Sequence, residues 1–519
     1  MKFRAATALL GLIVPSAVCQ SRTVWSGWGG NILNNRLASA GSTLRSDNVD
    51  SIQEHCRLTY TNGLSATPVI SDDTVYFPTW SGMFVALDYT NCKVQWELNV
   101  TSLVLEHGPI TGPMVVARPV SRTSPQIDGN ILYFGTLARA LIVAVDRRNG
   151  KVLDQIQLNP NPTALVTMSP TFYAGKLFVG TSSMENLASA IIPGYPCCSF
   201  VGNMTALEFD ERKSKFSVAW NRNTLPPNTK WSGASVWGSQ PAIDARRGHV
   251  IVATGNLYTA PKEWEKCANE TSADCLPSNI LQETVLALDL KTGRTKWENR
   301  IAPMDIFNGA CGGQQKPDFC PEKQGPDADF GMAPALVRGR TSRDDALILG
   351  QKNGTLYSLS AATGKINWAT ATSPSGMAGG LSWGLAADDK RAYFTGINSA
   401  RKSWKLTKSN QTITNSAYGG VNLKNGEILW ETPAPLESTA FGPPTVVGDV
   451  VVVARTQEKA APKGGLVFLS QTTGKVLGDI PLDAVFHGGI AIYGKYLMFG
   501  TGYGGGTGSI YILKTGGAK

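Results

Sequence analysis

Short apolar runs recur along the chain, each bounded by glycine or by a small polar residue. They are DDTVYFPTW (72–80), GNILYFGTL (129–137), GKLFVGTS (175–182), GHVIVATGN (248–256), DALILGQKNG (345–354), KRAYFTGIN (390–398), GDVVVVAR (448–455) and GKYLMFGTG (494–502). Their length, aromatic and β-branched content and flanking turn residues predict buried β-strands. A second phrase follows each run: a strand, a tight turn with Gly or Asn, a basic residue, and often Trp. It reads VALDYTNCKVQW (85–96), VAVDRRNGKVLD (143–154), TALEFDERKSKFSVAW (205–220), VLALDLKTGRTKW (285–297), LYSLSAATGKINW (356–368), GVNLKNGEILW (420–430) and LVFLSQTTGKVLG (466–478), with a truncated copy, IYILKTGGAK, at 510–519. Each copy is a strand–turn–strand unit. Helical periodicity is nearly absent.

Four short strands per unit, repeated around a ring, predict an all-β propeller. Eight copies favour eight blades. The truncated last copy needs completion from elsewhere, and the segment near the N-terminus is available. The chain ends are therefore expected to share one blade, which also removes exposed sheet edges. The 55 glycines and 29 prolines suit many turns and no long helices. Residues 20–519 read as one propeller domain.

The first residues change the cellular setting. MKFRAATALLGLIVPSAVCQS carries Lys2 and Arg4, then a short apolar run, then Ala17 and Cys19 at the −3 and −1 positions. This is the pattern of a secretory signal peptide over residues 1–19, too short for a membrane span. A soluble, secreted protein is expected. Eight cysteines remain after Cys19, and an even count in an oxidising compartment predicts a disulfide framework. Proximity suggests Cys56 with Cys92, Cys267 with Cys275, and Cys311 with Cys320, which leaves the neighbours Cys197 and Cys198 for each other by elimination. Sequons at Asn99, Asn203, Asn269, Asn353 and Asn410 suggest a glycoprotein. The net charge of +9 is spread without a basic block, so it reads as a solvated surface and not as a nucleic-acid footprint. The chain contains no CxxCH motif for covalent haem.

The repeat phrase resembles that of the pyrroloquinoline-quinone (PQQ) enzymes, closest to the polyvinyl-alcohol-dehydrogenase-like branch of the quinoprotein alcohol dehydrogenases. The residues that carry the resemblance are PCCSFVGNMTALE, VWGSQPAID…GHVIVATGNLY, DIFNGAC, CPEKQGPDADFGMAPAL, GQKNGTLYSL and GGLSWGLAAD. It implies oxidation of an alcohol with PQQ and Ca²⁺, with electrons passed to an external acceptor. It implies Glu185 (in GTSSMENL) and Asn256 (in TGN) as calcium ligands, since Ca²⁺ takes carboxylate and amide oxygens. Trp237 would stack on the quinone plane. The Cys197–Cys198 ring would lie against its other face, and Lys352 would set a positive charge beside its carbonyls.

The family places a catalytic aspartate after the TGxxxW strand. By direct continuation that position falls on Asn308, which cannot act as a base. The stretch 311–320 reads as an insertion, after which DADFG resumes the pattern. Asp329 is therefore the preferred base, with Asp327 and Asp305 behind it. The other reading of the same chain is a cofactor-free propeller that serves as a binding scaffold, or an enzyme of another kind acting on a small metabolite.

Overall fold

The computed structural model describes residues 23–516, apart from 40, 228, 271–274, 313–316, 458 and 460. The expected signal peptide, residues 1–19, lies outside the described residues. Eight antiparallel sheets, seven of four strands and one of five, form the expected ring of blades. Their strands fall within residues 69–99 (blade 1), 126–157 (blade 2), 171–223 (blade 3), 242–300 (blade 4), 335–371 (blade 5), 386–433 (blade 6) and 445–482 (blade 7). Blade 8 is shared by the chain ends: Gln53–Thr61 pairs with Thr507–Lys514, followed inward by Tyr496–Gly500 and Ile490–Tyr493.

The tryptophan of the repeat fastens one blade to the next. Trp96, Trp220, Trp297, Trp368 and Trp430 each donate an indole N–H to a main-chain carbonyl in the following blade's turn, at 2.8, 3.1, 3.2, 2.9 and 3.1 Å. Each ring also covers the turn glycine of that blade, such as Gly293 beneath Trp220 and Gly364 beneath Trp297. Those glycines have positive φ, and a Cβ at either would meet the indole at 2.6 or 2.3 Å. Other seams use other devices. Between blades 2 and 3, Asp154 receives the Phe216 N–H at 2.7 Å and pairs with Lys215. Between blades 8 and 1, the Cys56–Cys92 disulfide closes the ring. All four expected disulfides are formed.

The centre of the ring holds a feature with no counterpart in the repeat. Residues 23–38 wind along the inner strands. Thr23–Trp25 adds a fifth strand to blade 1. The segment then exchanges main-chain hydrogen bonds with Ile243 of blade 4, Leu336 of blade 5, Ala387 of blade 6 and Val446 of blade 7. Arg36 anchors it. Its guanidinium is 1% exposed and donates to the carbonyls of Trp28, Pro444 and Ile490 and to the hydroxyls of Thr67 and Thr445. The Trp25 and Trp28 rings each lie 5.6 Å from it. Burial pulls the Arg36 pKa down to about 9.

The sequons divide by burial. Asn99 and Asn410 are exposed. Asn203 is 1% exposed and bonded to Asn159, Thr205 and Asn221, so the folded protein offers no glycan site there. The suggestion from its sequon is corrected: a strand position inside the blade sandwich buried it.

Candidate functional site

In each blade the second strand ends on the same face of the ring as the loop that leads into the next inner strand. The candidate residues sit on these loops. Trp237 precedes the inner strand of blade 4, Trp383 precedes that of blade 6, and Asn256 and Lys352 follow second strands of blades 4 and 5. Trp237 and Trp383 meet edge to face, 5.5 Å apart at 78°. Each carries a cation: the Lys352 ammonium stands 5.4 Å from the Trp237 ring, and the Arg122 guanidinium 5.2 Å from the Trp383 ring. A cavity of about 210 Å³ opens beside them, walled by Trp28, Arg122, Trp237, Trp383, His487 and Tyr503 among others. His487 is stacked between Phe441 and Tyr503 at 4.5 and 4.7 Å. Its Nε2 has no hydrogen-bond partner among the described residues, and burial, then the Arg122 charge, lowers its pKa to about 4.

Lys352 is buried between two carboxylates. Its Nζ lies 3.0 Å from Asp327 Oδ1 and 3.0 Å from Asp329 Oδ2. Burial opposes its charge, but Asp329 and Asp327 outweigh that and raise its pKa. Asp327 is pushed up to about 7 by burial and by the Asp329 charge, against the pull of Lys352. The other oxygen of Asp329 accepts the Asn256 main-chain N–H at 2.6 Å. The glycine of the TGN phrase makes this contact possible. A Cβ on Gly255 would meet Asp329 Oδ1 at 2.3 Å and Trp237 Nε1 at 3.3 Å. Asn256 uses its side-chain amide N–H₂ on the carbonyls of Leu257 and Phe307. Its Oδ1 accepts no hydrogen bond among the described residues, which leaves it open to a hard cation.

Glu185 opens the short helix Glu185–Ile191 and is fully buried. Its carboxylate accepts from Tyr195 Oη (2.9 Å), the Ser199 N–H (2.9 and 3.0 Å), Ser199 Oγ (3.2 Å) and the Phe200 N–H (2.7 Å). These donors flank Cys197 and Cys198, so Glu185 clamps the loop of the cysteine ring. The ring in turn touches Asn308, whose Nδ2 lies 2.9 Å from Cys197 Sγ and 3.3 Å from Cys198 Sγ. Among the described residues, no three metal-ligating side chains converge at this site; the one such group is His55 with the bridged Cys56 and Cys92.

All the residues singled out in the sequence thus lie in one connected region. Glu185 holds the cysteine loop, the cysteine ring meets Asn308, the neighbouring Phe307 meets Asn256, Asn256 meets Asp329, and Asp329 pairs with Lys352, which stands over Trp237. Cys197 and Cys198 line a separate cleft with Lys230 and Lys262 and do not face the cavity beside Trp237. Sequence reasoning missed Arg122, Trp383 and His487. Trp383 lies in the GGLSWGLAAD segment, but nothing local distinguished it. Arg122 and His487 carry no motif.

The chain matches the family model described as the glucose/ethanol/alcohol dehydrogenase β-propeller domain over residues 43–314, and that described as outer membrane protein assembly factor BamB over residues 281–492. It is 26% identical to the polyvinylalcohol dehydrogenase of Pseudomonas sp over 471 residues, 88% of this chain and 67% of that one. It is 25% identical to the polyvinylalcohol dehydrogenase of Sphingopyxis sp. (strain 113P3), over 78% of this chain and 58% of that one. Among solved structures, the quinohemoprotein alcohol dehydrogenase from Comamonas testosteroni superposes with a TM-score of 0.68 at 15% identity, covering 95% of this chain and 81% of that one. A europium-containing methanol dehydrogenase gives 0.67 at 15% identity, covering 94% and 98%. The structural likeness shows the eight-bladed fold. With the first family model matched over more than half of its 519 residues, the chain belongs to the glucose/ethanol/alcohol dehydrogenase β-propeller family.

Proposed function

We propose that this protein is a secreted quinoprotein dehydrogenase that oxidises an alcohol with PQQ and passes the electrons to an external acceptor. The observation that carries the reading is the buried Asp327–Lys352–Asp329 group beside Trp237. A flat, aromatic anion fits the surroundings: two tryptophans offer apolar surface, and Arg122 over Trp383 offers charge. PQQ, when bound, supplies the two-electron acceptor that no side chain here provides. Trp237, Trp383, Arg122 and Lys352 would hold and orient it, and the aromatic walls would limit water around it.

Asp329 is the proposed base. Lys352 and the Asn256 N–H fix both its oxygens, so it is positioned to take the proton of a hydroxyl group. Asp327 shares Lys352, and burial and the Asp329 charge raise its pKa to about 7, so it can both take up and give up a proton near neutral pH. Calcium would be held by Asn256 Oδ1 together with Glu185, whose oxygens would have to share the ion with their present donors. The Cys197–Cys198 ring would border the site through Asn308. The four disulfides suit an oxidising compartment. Among the described residues no helix is long and apolar enough to cross a membrane.

The test is titration of the purified protein with PQQ, with and without Ca²⁺, followed by absorption and tryptophan fluorescence. Alcohol turnover is then measured with an artificial electron acceptor. Saturable quenching and PQQ-dependent oxidation of a primary or secondary alcohol are expected. No PQQ binding, together with no turnover across a broad set of alcohols, would leave the cofactor-free scaffold as the better reading.

A further inference from the structure

Two more carboxyl groups lie behind Asp327 in the same wall, and the proposed chemistry at Asp329 does not use them. Asp305 is 2% exposed and Glu283 is fully buried. Asp305 accepts the main-chain N–H of Ala328 at 2.6 Å and of Asp327 at 3.4 Å, which sets it against the peptide that carries the Asp327 side chain. Glu283 Oε2 accepts from Gln351 Nε2 at 2.7 Å, one residue before Lys352. Among the described residues, Glu283 Oε1 meets no N–H or O–H donor, although it is buried. What lies within its hydrogen-bonding reach is the Asp305 carboxyl. Two buried carboxylates in contact strongly oppose each other's ionisation, so one of them carries a proton. An unpartnered buried oxygen facing a second carboxyl is where that proton belongs.

The pair also faces outward. Glu283 and Asp305 line a cavity of about 270 Å³, together with Glu270, Lys323, Gln324 and Asn353. Glu270 and Lys323 are exposed. This cavity shares no lining residue with the one beside Trp237. Buried acidic groups therefore run from Lys352, through Asp327 and Asp305, to Glu283 and a second opening.

We propose that Glu283 and Asp305 share one proton and form the outlet by which the proton released in alcohol oxidation leaves toward the Glu270–Lys323 cavity. The role rests on the alcohol-oxidising reading above. In each passage the Lys352 ammonium gives a proton to Asp327 and regains one from the site. Asp327 hands it to Asp305 through one bridging water. The Glu283–Asp305 pair gains that proton and releases one to water in the cavity, so every group returns to its starting state. Burial, then the Asp305 charge, holds Glu283 well above the usual carboxyl range. Asp329 and Asp327 act on it in the same sense. Asp305 is raised mainly by burial, and its hydrogen bonds from Glu283 and Ala328 work against that.

Two measurements test this. The first is the infrared spectrum of the cofactor-free protein at pH 7 in H₂O and D₂O. A protonated-carboxyl C=O band that shifts in D₂O and is lost in Glu283→Gln is expected; its absence from the unmodified protein overturns the shared proton. The second is steady-state oxidation by the PQQ-loaded protein. Glu283→Gln should lower kcat by about tenfold, less than the 10²–10⁴ typical of removing a base. It should raise the solvent deuterium isotope effect and leave KM and PQQ content unchanged. Asp305→Asn should do the same. Unchanged kcat and isotope effect in either folded variant overturn the outlet. If the unmodified protein binds PQQ but oxidises no alcohol, the activity and the outlet fall together, while the infrared result still decides where the proton sits.

Discussion

Asn308 Nδ2 lies 2.9 Å from Cys197 Sγ. The residue that stands where the family pattern leads one to expect a base is instead a hydrogen-bonding prop for the cysteine ring. Its Oδ1 is also taken, by Ser189 Oγ at 2.8 Å and the Ala310 N–H at 3.0 Å. In the proposed reaction, proton transfer therefore falls to Asp329. Asp329→Asn keeps the size of the side chain but cannot accept a proton at neutral pH. The PQQ-loaded variant should be about 10²–10⁴-fold slower in alcohol oxidation, with cofactor content close to that of the unmodified protein. Asn308→Ala should leave the pH profile of kcat unchanged. A variant Asp329→Asn with full activity moves the base to Asp327 or Asp305.

Glu185 has a second task in the proposal, as a calcium ligand beside its hold on the cysteine loop. Glu185→Gln removes formal charge, which a hard cation needs. It also leaves an amide N–H₂ where main-chain N–H groups now point. The Ca²⁺ concentration that half-saturates PQQ loading should rise at least tenfold. Loss of PQQ loading to the same degree at every Ca²⁺ concentration would assign Glu185 to the loop alone.

His487 gives the stability a pH dependence with a definite sign. Its folded pKa, about 4, lies below the ordinary value of 6.5. The unfolded chain therefore binds the extra proton first as pH falls. The folded protein should lose stability between pH 6.5 and 4, by up to about 3 kcal/mol from this one group. His487→Phe keeps a ring between Phe441 and Tyr503 and should flatten that part of the curve in denaturant titrations. An unchanged slope across the window would show that His487 does not titrate there.

The closing seam between blades 8 and 1 depends on Cys56–Cys92, whose ends are 36 residues apart. Replacing both with serine should cost about 2–4 kcal/mol, and about 1 kcal/mol less for Cys267 and Cys275, which enclose a shorter loop. Thermal melts of the two double variants give the comparison. Equal midpoints would mean that the seam is held by packing alone.

The blades were legible in the sequence because each is a local pattern, repeated. The strand of GKLFVG, the turn of KTGR and the Trp that follows each announce themselves within a dozen residues. The shared last blade was legible from the truncated IYIL copy. The central segment was not: TVWSGWGGNILNNRLA has no period, and Arg36 finds its partners at Pro444 and Ile490, over 400 residues away. The same holds for the site. Asn256 and Lys352 were singled out through the family resemblance, which could be laid on them because each follows a recognisable strand. Arg122 could not, since its contacts with Trp383 and Tyr503 join distant loops. The insertion around Cys311–Cys320 made two candidates, Asn308 and Asp329, compete for one role. The fold gives each its own: one on the sulfurs, one on the ammonium.

The segment 23–38 ties the middle of the ring to the site. Trp28, which belongs to it, is itself a wall of the cavity beside Trp237. Its indole N–H donates to the Trp383 carbonyl at 2.6 Å, and the Arg36 guanidinium stands 5.6 Å from its ring. The arginine that pins the segment across blades 4 to 8 therefore holds up one side of the candidate pocket without lining it. A change at residue 36 would be felt by whatever occupies that pocket through a single intervening indole.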